Sequence, residues 1–233
     1  MKKSGWAPGT IFDVGVATGT PGLYGIFDDV RYVLIDPVAE VEPFMKQCCE
    51  EYPGSIYYVV GASDCDASAQ ISVSAGYSGS SMHKKPGPES REIPTRSLDS
   101  IVAEQELPTP FLIKLDIEGH ELRALEGAQK TLEQTDVVIA EISLWNDRKR
   151  ETGGATLEDV FSHLQARGFV LYDIVDIGYR PSDGAMGLFD AVFVRGDCKI
   201  RELLAYRTKE QRAEINAHKA AKYARAKSEL TDS

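Results

Sequence analysis

Two groups of residues have the types and spacing that chemistry needs. The first is Ile11-Phe12-Asp13-Val14-Gly15-Val16-Ala17-Thr18-Gly19, an apolar run that ends in a turn carrying Gly15 and Gly19. Glycine lets backbone approach a ligand closely because no Cβ intervenes. About twenty residues further on, the apolar run Tyr32–Ile35 ends in Asp36, the spacing at which an acid accepts hydrogen bonds from a ribose diol. Together these features describe a nucleotide-type cofactor pocket at the carboxyl ends of parallel strands. A tight strand-to-helix turn without a ligand is the plainer alternative for Gly15 and Gly19. The second group follows two later apolar runs. Phe111–Ile117 carries Lys114 and Asp116 near its end, and Val137–Ala140 ends in Glu141. If those runs are neighbouring strands, Asp116 and Glu141 face one cleft, where converging carboxylates could hold Mg2+ through oxygen ligands. A solvated acid pair is the alternative. His120 lies just beyond, with an imidazole pKa suited to general-base work, though a histidine near a helix start is often a surface residue.

The elements that must position these groups follow from periodicity. Strands are expected near Ile11, at Arg31–Ile35, at Ile56–Val60, at Phe111–Ile117, at Val137–Ala140, and at Phe169–Val175 and Leu188–Val194. Pro21, Gly22 and Gly25 leave room for only a short, weak helix before the second strand. Helices are expected from Val41 with Pro43 in the first turn, from Ser97, from Glu118 with Leu122, Leu125 and Leu132 along one face, and over 156–167. Such alternation implies a mostly parallel sheet covered on both faces. The final pair of strands has no helix between them, so one runs antiparallel. Residues 67–97 break the rhythm: Ala69–Ser74 alternates like a half-exposed strand, and a loop by composition follows over 76–90. A loop of that length is usually functional or disordered, and a lid over the site is the functional reading. No internal repeat is evident.

The chain has 233 residues, enough for one domain with an extension. We divide it into a domain over 1–198 and a charged, helical or flexible extension over 199–233, whose plainest reading is a solvated helix and whose alternative is a partner-binding segment. A net charge of −10 argues against a general nucleic-acid binder. Cys48, Cys49, Cys65 and Cys198 show no metal-ligand spacing and suit a reducing, cytoplasmic compartment. The N-terminus has no signal-peptide core, and no run is long enough to span a bilayer.

The set Asp13-Val14-Gly15…Gly19, Ile35-Asp36-Pro37, Arg96-Ser97-Leu98-Asp99 and Ile113-Lys114-Leu115-Asp116-Ile117-Glu118-Gly119-His120-Glu121…Leu125-Glu126-Gly127-Ala128 resembles the FkbM family of S-adenosylmethionine-dependent methyltransferases. The resemblance runs from about residue 10 to residue 196, and Lys114–Ala128 is its most specific part. It implies a Rossmann-like class I methyltransferase fold: a seven-stranded, mostly parallel sheet with the last strand antiparallel. It also implies roles. Asp13 and the backbone of Gly15 and Gly19 would hold the methionine moiety, Asp36 the ribose, and Ser63 and Asp64 would flank the adenine, although Asp64 equally suits a turn. Asp116, where substrate meets cofactor, would be the base, a metal ligand, or a partner of the cofactor's amino group. Lys114 would be its ion-pair partner, a pairing that a purely structural role also explains. Glu118 would touch substrate or cap the following helix, and Trp145 would offer a flat wall to a sugar or aromatic ring. The chain departs from the family pattern in having Asp36 where Glu commonly precedes Pro, and Ala17-Thr18 where an Asn is usual.

The activity implied is O-methylation of a hydroxyl on a sugar, glycan or secondary metabolite, with loop 76–90 choosing the acceptor. The implied partners are S-adenosylmethionine and a small-molecule or glycan acceptor; a homo-oligomer is possible, and the sequence does not fix the oligomeric state. Two other classes stay open. A nicotinamide-dependent oxidoreductase also uses a glycine turn and a ribose-binding acid, although the Gly-x-x-x-Gly spacing differs from Gly-x-Gly-x-x-Gly. A non-catalytic module would keep the fold and bind a partner.

Overall fold

The structure is a computed structural model that describes residues 4–20, 22–83, 89–144, 154–202 and 207–231. Its centre is β1 (Thr10–Val14), five consecutive buried residues. β1 pairs in parallel with β2 (Arg31–Ile35) on one side and with β7 (Phe111–Leu115) on the other. A strand covered on both faces carries a continuous apolar run, and Phe12, Val14, Val33 and Ile113 fill one side of the sheet while Ile11, Tyr32, Leu34 and Leu112 fill the other. Fully burying each such side chain contributes about 1.5–3 kcal/mol.

β3 (Ile56–Tyr58) continues the sheet beyond β2, and β8 (Thr135–Ser143) continues it beyond β7. β10 (Met186–Arg195) then pairs antiparallel with β8 and with β9 (Phe169–Tyr179). The order is β3-β2-β1-β7-β8-β10-β9, so the expected seven-stranded sheet with an antiparallel last strand is what forms. A second sheet of three strands, in the order β4-β6-β5, contains β4 (Gly61–Ala62), β5 (Ala67–Ser72) and β6 (Ser90–Arg96).

The helices follow their caps. α1 (Glu42–Glu51) starts with Pro43 in its first turn, as expected. In α2 (Leu98–Ala103) the Ser97 hydroxyl accepts from the Ser100 amide. Asp99, one residue into α2, accepts from the Lys130 and Thr131 amides and from the Thr131 hydroxyl, tying α2 to α4 (Gln129–Glu133). α5 (Leu157–Gln165) opens with a capping box between Thr156 and Asp159. α6 (Lys209–Thr231) is exposed along nearly all of its described side chains.

Four expectations about elements are corrected. The described residues between β1 and β2 form turns and bends, not a short helix. Ile56–Val60 is not one strand: the chain leaves the main sheet after Tyr58 and enters the small one at Gly61. The helix expected from Glu118 is two short ones, α3 (Glu121–Glu126) and α4, parted at Gly127 and Ala128, where the Gly127 carbonyl accepts from the Asp99 amide and the Asp99 carboxylate takes amides in the first turn of α4; a Cβ at Gly127 would also stand 2.1 Å from the Ser63 carbonyl oxygen. Glu141 does not end its strand but lies inside β8, directly across from Asp190 of β10. Sequence reasoning missed β6 altogether, because Pro94 reads against a strand. It is tolerated here because β4 pairs only with Thr95 and Arg96, which leaves Pro94 with a partner strand on one side, opposite Ser68.

Candidate active site

The carboxyl ends of β1, β2 and β7 open into a cavity of about 230 Å3, lined by Gly15, Ala17, Asp36, Pro37, Val38, Ala62, Asp116, Glu118 and Glu141. Ile71, Tyr77, Ser78, Gly79, Ser80 and Met82 close another side of it. The three-stranded sheet and the loop after β5 are thus a wall of the site. The loop residues Lys84–Pro88 and the side chain of Trp145 lie outside the described residues.

The turn after β1 is built by its neighbours. Gly15 adopts φ +86°, and a Cβ there would meet the Asp116 carbonyl oxygen at 1.9 Å. The close approach that demands glycine is therefore between two strand ends, with the cavity beside them. Asp36 is buried, and its carboxylate accepts from the amides of Ala17 at 2.9 Å and Val38 at 2.8 Å. Burial raises its pKa, while the amides of Ala17, Val38 and Val16 pull it back. A carboxylate has about four lone-pair sites, so these backbone amides do not exhaust Asp36, which can accept more from the cavity.

Asp13 faces elsewhere. It is fully buried, and its carboxylate accepts from the Thr20 hydroxyl at 3.2 Å and from the Tyr24 hydroxyl. It pairs in register with Lys114, so both side chains lie on one face of the sheet, with Lys114 Nζ 4.0 Å from Asp13 Oδ1. Burial raises the Asp13 pKa, and Lys114 opposes that rise. Lys114 Nζ donates to Asp116 Oδ2 at 2.9 Å. Burial would lower the Lys114 pKa, but Asp116 and Asp13 outweigh it and the ammonium is retained. Gly19 is also turned away, against the Phe44 ring, where a Cβ would stand at 2.4 Å. Its cleft, shared with Tyr24, Phe44 and Tyr52, is separate from the main cavity.

The turn that carries the acids is held from below by Glu121, part of the sequence motif but not among the expected site residues. Glu121 is 3% exposed, and its Oε1 accepts from the amides of Ile117 at 3.3 Å and Gly119 at 3.0 Å. Glu118 and Gly119 both have positive φ within this turn. Glu118 lines the cavity, and among the described residues its side chain makes no capping hydrogen bond to α3. Asp116, Glu118 and Glu141 bring carboxylate oxygens within 4.8 Å of one another, a separation that acids also adopt without an ion. Asp190 is half-buried beside them; burial raises its pKa and Lys114 lowers it. Sequence reasoning missed Asp190 because only the antiparallel register brings it opposite Glu141.

Ser63, Asp64 and His120 come together, but away from the cavity lining. Ser63 Oγ lies 3.0 Å from Asp64 Oδ1 and 3.0 Å from His120 Nε2, and Arg123 donates to Asp64 at 2.9 Å. Burial pushes the His120 pKa down to about 4, helped by His83, whose Nε2 lies 2.9 Å from His120 Nδ1.

A parallel sheet with an antiparallel last strand, and an acid-bearing cavity across the tips of its first strands, defines a Rossmann-like protein of the class I methyltransferase type. The methyltransferase FkbM domain model matches residues 25–171, more than half of the chain and the most specific part of the motif set, and the chain belongs to that family. The hexuronic acid methyltransferase AglP of Haloferax volcanii is 35% identical over 145 residues, which cover 61% of this chain and 59% of AglP. The chain thus spans less than two thirds of that curated relative's length. A methyltransferase FkbM crystal structure from Methylobacillus flagellatus superposes with a TM-score of 0.50 at 18% identity, covering 78% of this chain and 43% of that one. That likeness supports the fold. Among the described residues, no helix is long and apolar enough to cross a membrane.

Proposed function

We propose that this chain transfers a methyl group from S-adenosylmethionine to a hydroxyl of a sugar or glycan, with a secondary-metabolite hydroxyl as the wider class. The observation that carries the reading is Asp36 at the tip of β2, bordering the same cavity as Asp116 at the tip of β7. S-adenosylmethionine supplies an electrophilic methyl on a sulfonium. The residues present suit that donor: Asp36 is an acceptor-only group for a diol, and Val38, Ile71 and Met82 are apolar surface for a flat ring. The protein's task is then to align the acceptor and take its proton, worth several kcal/mol of the barrier for orientation and about 10²–10⁴-fold for a positioned base. Asp116 is the group we assign to the acceptor proton, as general base. Lys114 holds its carboxylate in place, and Glu118 and Glu141 border the acceptor. AglP, by its name, acts on a hexuronic acid, and that relative favours a sugar among the possible acceptors.

Isothermal titration with S-adenosylmethionine is the direct test; no binding at millimolar donor removes the proposal. Asp36→Ala is expected to weaken that binding at least tenfold. It also leaves the Ala17 and Val38 amides unpaired, at a cost of about 1–3 kcal/mol each, so the folded state of the variant is checked by thermal melting. Wild-type affinity in a folded variant would place the ribose elsewhere. Turnover is expected to survive EDTA, because Lys114 already offsets the Asp116 charge; loss of turnover, restored by Mg2+, would reverse that expectation.

A further inference from the structure

We infer that His83 is a positioning residue: it donates a hydrogen bond to His120 and so fastens the cavity-lining loop after β5 to the start of α3. The direction of that bond follows from the chain of partners. Asp64 as a carboxylate can only accept, so the single Ser63 hydroxyl proton goes to Asp64 Oδ1 at 3.0 Å. Ser63 Oγ must then accept from His120 Nε2 at 3.0 Å, which fixes the proton of a neutral His120 on Nε2. His120 Nδ1 is left with a lone pair, and His83 Nε2 at 2.9 Å is its donor. The groups facing His120 are His83 from the loop, Ser63 and Asp64 from the segment after β4, and Arg123 from α3. Burial first, and then His83 and Arg123, hold its pKa down against the pull of Asp64, and it stays neutral as the acceptor role requires.

The fastened segment matters to the cavity. Tyr77, Ser80 and Met82 line it, and the next residue is His83. A second clasp lies two residues earlier. Ser81 is buried, its backbone bridges Ser72 in both directions at 3.0 and 3.1 Å, and its hydroxyl donates to the Glu118 carbonyl at 3.0 Å. The His83 amide in turn donates to Ser81 Oγ at 3.1 Å. Ser81 therefore ties the loop to the turn bearing the acids, and His83 ties it to the helix that follows. Losing the second tie lets the Tyr77–Met82 wall move relative to Asp116 and Glu118.

This inference rests on the donor-site reading above, so its test has one arm that needs no ligand. Amide hydrogen exchange is measured by mass spectrometry on the full chain, as wild type, His83→Ala and His83→Gln. His83→Ala is expected to speed exchange at least tenfold over 74–82 while leaving β1 and β7 protected, and His83→Gln, whose side-chain amide can donate, is expected to restore protection in part. Titration with S-adenosylhomocysteine and steady-state kinetics form the second arm: His83→Ala raises KM for the donor three- to thirtyfold with a smaller change in kcat, and His83→Gln recovers part of it. Wild-type exchange over 74–82 in His83→Ala overturns the inference, as does a Gln variant no better than Ala. If the wild type binds no S-adenosylhomocysteine, the functional reading falls, and the exchange arm alone still decides whether His83 fastens the loop.

Discussion

Gly15 shows how a single missing Cβ serves the site. Its positive φ and its contact with the Asp116 carbonyl tie the end of β1 to the end of β7. Gly15→Ala would place a methyl 1.9 Å from that oxygen in a backbone conformation that L-residues disfavour. The expected result is a loss of several kcal/mol in chemical denaturation together with loss of donor binding, because the same displacement moves Asp116. A variant that melts like the wild type would mean the turn relaxes freely. Asp36 and Asp116 border the cavity as their positions at strand tips imply, since strand-end side chains in a parallel sheet share one edge. Asp13 was legible as a residue of the turn, yet not its direction: register with Lys114 turns it to the other side, where Thr20 and Tyr24 take its carboxylate. Gly19, Ser63 and His120 likewise needed contacts from distant elements, which local spacing does not encode.

The element that does most for the acids is the turn between β7 and α3. Its Lys-x-Asp-x-Glu-Gly-x-Glu pattern acquires a physical meaning. Lys114 pairs with Asp116, Glu118 adopts positive φ to face the cavity, Gly119 follows in the same region, and Glu121 accepts the amides that the turn exposes. Glu121→Ala leaves the buried Gly119 N–H without its acceptor, at about 1–3 kcal/mol, and frees the half-buried Ile117 N–H at a smaller cost. It should lower stability and cut kcat more than it changes donor affinity, since Asp36 and the β2 tip are untouched. Equal kcat in a folded variant would show that the turn holds Asp116 without its cap. The parallel strands of the main sheet were readable because each is a short apolar run bounded by turn residues. The β5–β6 ribbon was only half readable. β5 alternates, but β6 carries Pro94 and charged residues, and only pairing with β5 and β4 makes it a strand. The break between α3 and α4 was hidden for a similar reason, because the Asp99 contacts that hold Gly127 and the start of α4 come from a distant helix.

At the scale of the whole molecule, the site places ionisable groups in surroundings that oppose their charge, and stability must carry a pH signature of that. His120 titrates near 4 when folded against about 6.5 when free, so below pH 6.5 the unfolded chain binds more protons and stability falls as pH drops toward 4. Asp13 and Asp36 work in the opposite sense. Their folded pKa values are raised by burial, so the folded state holds protons more tightly, and their contribution to stability declines as pH rises above about 3.8. The two signs overlap in acid, and a single melting curve would blur them. The comparison that separates them is wild type against His120→Gln, which retains a polar side chain and cannot be protonated. Measured by urea titration from pH 8 to pH 4, the difference between the two should be flat above pH 6.5. Below that it should shift in favour of the variant by at most about 1.4 kcal/mol per pH unit, levelling off near pH 4. A difference that stays constant across the range would mean that His120 is as exposed to protonation in the folded protein as in the unfolded chain. That result would break the chain of hydrogen bonds from Asp64 to His83, because a protonated His120 has no lone pair at Nδ1 to receive the His83 proton.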